Sequence, residues 1–246
     1  MTMIFLLLFL FPLGAAASES RPYPGDMEFT LMDYQQAEAR YDSALTVSAD
    51  SAKLLWRLAR LYVVRGNVAE GDAKEPLFRI AGEYARRCVR ADSTVAAGHT
   101  WLAAALGNIA MFEGSKAKVR LSTEIKKELD LAIALDGTDD VAYSIMGSFY
   151  LALGNVSWVE RQLASIFLGS LPDGGYEESE IALRRAITLA PNVIRHRHEI
   201  GLLYIAEGRR QEAREAFAVV SKLPSVLGSD TGMKTHAAEW VKELEK

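Results

Sequence analysis

The sequence predicts an all-α protein: a right-handed superhelix of about five antiparallel helix pairs, with one inserted helix and a helix capping the C-terminus. Three observations predict it. A small residue, a tyrosine and a glycine recur at offsets 0, 3 and 7 in Ala59–Tyr62–Gly66, Gly147–Tyr150–Gly154 and Gly201–Tyr204–Gly208. Apolar residues return at helical spacing along almost the whole chain, and strand-type alternation is nearly missing. Asp50, Asp92, Asp136 and Pro191 break the helical runs, reinforced by "DGTDD" at 136–140 and "APN" at 190–192.

In chain order, "MTMIFLLLFLFPLGAAASES" opens with an apolar run followed by small residues, the layout of a cleaved secretory signal. Its apolar stretch, Ile4 to Ala17, is shorter than the roughly 20 residues of a spanning helix. Residues 1–17 are therefore expected as a signal peptide, 18–28 as a linker and 29–246 as the helical domain, which makes the protein exported, periplasmic or secreted. The alternative is an anchor retained in a membrane. Helices are expected at 29–48, 52–65, 74–91, 95–112, 116–135, 139–153, 158–169, 177–189, 194–207, 210–222 and 230–245. In the copy that starts at Gly201, Ala213 and Phe217 follow at offsets 12 and 16. Setting aside residues 156–175 brings Ser179, Leu183, Ala186 and Pro191 to offsets 12, 16, 19 and 24 from the other glycine copy, completing a unit of about 34 residues. A small residue lets two helices approach closely, an aromatic one turn later fills the gap, and a glycine ends the first helix. These residues resemble the tetratricopeptide repeat. The 88 residues from Ala59 to Gly147 correspond to two longer units, and Trp240 and Leu244 mark the capping helix.

Composition narrows the function. A net charge of -4 gives no basic field, so no nucleic acid partner is expected. Cys88 is the only cysteine; it can form no internal disulfide and reads as a small buried hydrophobe. The chain has no glycine-rich phosphate loop, no nucleophile elbow and no Cys/His ligand spacing. "RHRHE" is its only histidine cluster, and His196 and His198 point about 200° apart on a helix, which excludes a shared metal. "EESE" at 177–180 is the acidic first turn of a helix rather than a carboxylate pair for catalysis. The expectation is a non-catalytic protein without cofactor or metal.

Binding is where the repeats point, because in such stacks the first helix of each pair lines the concave face. Projecting the pattern puts Trp56, Arg60, Val63, His99, Ala103, Ser148, Leu151, His198 and Leu202 in a mostly apolar groove. A protein or peptide partner is expected there, with a lipid chain as the alternative. The Lys and Asn residues with which chaperone-binding repeats clamp a terminal carboxylate are missing from these positions.

Several longer stretches carry a closer resemblance. "LLWRLARLYVVRGN", the Trp101 block with "FEGSKAKV", and the insert "SWVERQLASIFLGSLP" are similar to the regulator of microtubule dynamics family over roughly residues 50–225. The resemblance implies an all-helical interaction domain, placed in some animal members on an organelle surface and implicated in partner or phospholipid binding. The family's long N-terminal extension is replaced here by the export-type segment, so no microtubule binding is expected.

Overall fold

The computed structural model describes residues 22–49 and 51–246. The signal-type segment at 1–17, the first part of the linker and the break at Asp50 lie outside these residues. Within them the chain is helical, with no strand.

Among the described residues twelve helices follow one another: α1 (Asp26–Thr30), α2 (Tyr34–Val47), α3 (Ala52–Val68), α4 (Lys74–Ala91), α5 (Ala96–Ile109), α6 (Ser115–Leu135), α7 (Asp140–Gly154), α8 (Trp158–Phe167), α9 (Tyr176–Leu189), α10 (Ile194–Ala206), α11 (Arg210–Val220) and α12 (Asp230–Leu244). The packed pairs are α1–α2, α3–α4, α5–α6, α7–α9 and α10–α11, and α12 covers the last pair. The first helices α3, α5, α7 and α10 lie side by side as an inner layer.

Two expectations at the N-terminus are corrected. The single helix at 29–48 is two helices, because Met32 takes a left-handed backbone (φ 61°) and the Asp33 carboxylate accepts the Gln36 N–H to start α2. Residues 22–28 are not a free linker either. The Asp26 carboxylate accepts from Tyr41 and Arg57, and Arg57 also stacks on Tyr23, so α1 is tied to α2 and α3. Burial pushes the Asp26 carboxyl up, but the Arg57 and Tyr41 bonds outweigh it and hold the group below its ordinary value.

The small-residue positions explain the pairing. A Cβ on Gly147 would stand 2.4 Å from Leu183, and one on Gly201 would stand 2.6 Å from the Phe217 ring. These are first-helix and second-helix partners of the same pair, and the missing side chain sets their separation. Ala59 fills the corresponding position as a fully buried residue. Cys88 is buried as expected, its thiol pushed up to about 11 by burial.

The inserted helix α8 departs from this scheme. A capping box between Ser157 and Glu160 starts it, and it ends before a left-handed Gly169 (φ 116°). It buries only Ala164.

Candidate functional site

A cavity of about 920 Å³ lies inside the stack, walled by α3, α5, α7 and α10. The first turns of α6 and the inner edge of α8 form one rim, and residues 226–230 form the other. That second rim closes the stack on itself. The Gly228 N–H donates to the Tyr34 hydroxyl at 3.1 Å, joining the start of α12 to the first pair. Asp230, 2% exposed, accepts the N–H groups of Val226 and Leu227 at 2.7 and 2.8 Å and fixes the crossing.

The wall is mainly apolar, with Val63, Trp101, Ala103, Ile145, Phe149 and Leu163 among its members. Polar groups gather on the α7–α10 side. The Ser148 hydroxyl lies 2.9 Å from the Glu199 carboxylate, and His196 Nε2 lies 2.8 Å from Asp140. Burial pushes Glu199 upward, yet the facing His198, the Arg195 charge and the Ser148 hydroxyl outweigh it and keep the carboxyl below its ordinary value. A negative charge therefore sits on the cavity wall, balanced by Arg195 one turn away. His196 Nδ1 is buried without a partner. Among the described residues no group of three or more His, Cys, Asp or Glu side chains is arranged to hold a metal.

Of the nine residues projected into the groove, the structure brings Val63, Ala103 and Ser148 to the cavity wall. The other six are placed elsewhere. Trp56 and Arg60 share the α3 stripe with Val63, but α1 packs onto Arg60, and Trp56 lies under the Arg57 and Arg60 guanidiniums. The Arg60 guanidinium lies 3.7 Å over the Phe29 ring and bonds Tyr41 at 3.2 Å. His99 is 3% exposed, and its Nδ1 is 2.5 Å from Glu128 of α6, inside the third pair. Leu151 belongs to the C-terminal core, with Leu202 packed against it. His198 Nε2 pairs with His236 Nδ1 of the cap at 2.9 Å. On α7 and α10 the wall positions are Ala152 and Glu199, each one residue, or about 100°, beyond the expected Leu151 and His198. The stripe Val141–Ile145–Ser148–Ala152 is present in the sequence as a helical period. Glu199 gives no such sign, because a charged residue on an inner face carries no apolar signal.

Antiparallel helix pairs stacked around a concave cavity define a tetratricopeptide-like helical repeat protein. A thermophilic TPR protein of Thermus thermophilus has the same architecture, with a TM-score of 0.65, 19% identity and coverage of 89% of this chain and 95% of that one. Residues 27–245 match the family model described as regulator of microtubule dynamics protein 1-3, and the chain belongs to that family. Regulator of microtubule dynamics protein 1 of Bos taurus is 26% identical, over 83% of this chain and 69% of its own length. Protein 3 of Rattus norvegicus is 25% identical, over 75% of this chain and only 40% of its own length. These relatives take their names from microtubules, a polymer of the cell interior, and this overturns the expectation of an exported protein. Among the described residues no helix is long and apolar enough to cross a membrane.

Proposed function

We propose that this protein is a non-catalytic scaffold that holds an apolar segment of a protein partner in its central cavity. The observation that carries the reading is the cavity itself, mainly apolar and walled by four successive first helices. An α-helix of about 10 Å diameter and 5.4 Å pitch fills roughly 420 Å³ per turn, so the space matches about two turns of a bound helix. The paired Ser148 and Glu199 and the nearby Arg195 supply the few polar groups that fix orientation in such a site.

A second reading, an acyl chain of a lipid, is favoured by one feature. The crossing at 226–230 covers part of the groove, and a half-covered apolar slot suits a chain that makes no backbone hydrogen bonds. The names of the relatives bring microtubules into question; co-sedimentation with polymerised tubulin is expected to leave this chain in the supernatant at physiological salt.

The deciding experiment places a photoreactive side chain at Ala152, which is exposed on the cavity wall, and irradiates the protein in its native cell. Mass spectrometry of the adducts is expected to find a peptide segment with apolar residues about one turn apart. Adducts to lipid alone would replace the first reading with the second. Label that attaches only to solvent would overturn both.

A further inference from the structure

The inserted helix α8 is held to the molecule by polar contacts more than by apolar ones. It buries only Ala164, and the Arg161 guanidinium donates to the carbonyls of Leu153, Pro172 and Gly174 at 2.9, 3.1 and 2.9 Å. Its apolar residues turn outward: Trp158 and Phe167 are 73% exposed, Ile166 68%, Val159 57% and Leu163 51%. At 100° per residue these five spread over one half of the helix surface, with the exposed Gln162 among them. Leu163 and Phe167 stand on the edge that also lines the cavity, so this face borders the cavity mouth. The five side chains expose roughly 700 Å², close to the ~800 Å² that each partner contributes to a standard protein interface.

The charges are sorted along α8, acidic at its start and basic at its end. Arg161 ties the 172–174 turn to the first half of α8, and the Tyr176 hydroxyl donates to Asn155 at 2.7 Å, which brings the start of α9 to the same end. Glu160, Asp173, Glu177 and Glu178 are exposed there. Glu160 accepts from Ser157 and Glu178 from the Gly175 N–H, caps that leave both negative charges without a cation. At the other end Gly169 lies against α6: a Cβ on it would stand 3.6 Å from Val119. Lys116, Lys118 and Arg120, exposed in the first turns of α6, therefore gather beside the end of α8. The acids near them are engaged, Glu113 with Arg79, Glu124 with Arg86 and Asp130 with Lys126. Lys127 stands between the two ends, beside Ser170 and Pro172. Ten residues at 1.5 Å each set those ends about 15 Å apart.

An apolar stripe with opposite charge at its two ends is complementary to itself when turned by 180°. A partner of a single sign satisfies one end and opposes the other. A closed two-fold contact presents the same patch from both copies, so each end meets its opposite twice. We propose that the outward face of α8 is a homodimer interface, in which two copies pack α8 antiparallel about a two-fold axis between Gln162 and Leu163. At 100° and 1.5 Å per residue that axis sets Val159 against the partner's Ile166 and Trp158 against the partner's Phe167. Glu160 and Glu177 then face the partner's Lys118 and the partner's Arg120. Because Leu163 and Phe167 belong to both surfaces, dimerisation sets the two cavity mouths beside one interface.

The test reads α8 directly, so that association through another apolar segment of the chain cannot imitate it. Full chains carrying Val159→Cys and full chains carrying Ile166→Cys are mixed under mild oxidation; Cys88 is buried and does not compete. The mixture is expected to form a disulfide-linked dimer, and each variant alone little of it, since each position lies against the other and not against itself. Val47→Cys, exposed on α2, gives the background. Sedimentation is expected to show a monomer–dimer equilibrium in the micromolar range. Lys118→Glu with Arg120→Glu should weaken it about tenfold or more, and adding Asp173→Lys with Glu177→Lys to the same chain should restore it, with helical content retained by circular dichroism throughout. Three results would overturn the proposal. One is a monomer throughout the micromolar range. Another is cross-linking in the mixture no stronger than at position 47 or within either variant alone. The third is a dimer that the first charge reversal leaves unchanged or that the second weakens further.

Discussion

Gly201→Ala isolates the packing rule on which the repeat reading rests. In a helix interior, alanine is favoured over glycine by about 1 kcal/mol, so on local grounds the substitution stabilises. The tertiary structure reverses the sign. The new methyl carbon would meet three atoms of the Phe217 ring at 2.6, 2.7 and 2.9 Å, well inside van der Waals contact. Phe217 cannot withdraw, since it is fully buried, edge-on to His198 at 5.8 Å and stacked on Trp240 at 6.1 Å. Overpacking of this kind costs about 1–3 kcal/mol, so the net effect is a loss of up to about 2 kcal/mol. At this chain length, at about 2–4 °C per kcal/mol, that lowers the melting temperature by up to roughly 4–8 °C. Gly232→Ala is the matched control, because its methyl carbon meets nothing within 4 Å; it is expected to be neutral or stabilising by up to about 1 kcal/mol. Thermal melts followed by circular dichroism measure both, and Phe217→Leu in the Gly201→Ala background should recover part of the loss. If Gly201→Ala melts at or above the parent, as Gly232→Ala should, the close approach of α10 and α11 is not what selects glycine there.

Glu128→Ala leaves His99 buried without its carboxylate partner and should cost about 3 kcal/mol, seen as a lower midpoint in urea. Asp230→Ala frees the N–H groups of Val226 and Leu227 and should loosen the crossing to Tyr34, speeding hydrogen exchange at 226–229 while α3–α7 stay protected. The Arg209 bond, with Arg184 and Tyr204, outweighs burial and holds Glu180 at about 2 against an ordinary 4.5. Its folded value is depressed, so its stabilisation is complete above the ordinary value and is lost as pH falls toward 2. The melting temperature should drop across that window, and Glu180→Gln should flatten that part of the fall.

The helical class and the order of pairs were written in the sequence, because small-residue, tyrosine and glycine positions recur at a spacing that only stacked helix pairs satisfy. Gly147 and Gly201 could be matched with Leu183 and Phe217 from offsets alone, since residues one repeat position apart meet by construction. The insert at α8 was equally legible as an interruption between Gly154 and Ser179. The cavity was legible only in part. Periodicity finds which stripe of a helix is apolar, but neighbouring stripes differ by about 100°. Only packing decides which one faces the lumen and which the next helix. That is why Ala152 and Glu199 line the wall while Leu151 and His198 enter the core. Nor does a stripe reveal that part of it is covered, as α1 covers Arg60 and Arg60 in turn covers Trp56. The rim at 226–230 came from tertiary structure alone. It depends on Gly228 meeting Tyr34 across 194 positions, and no local pattern encodes a contact between chain segments so far apart.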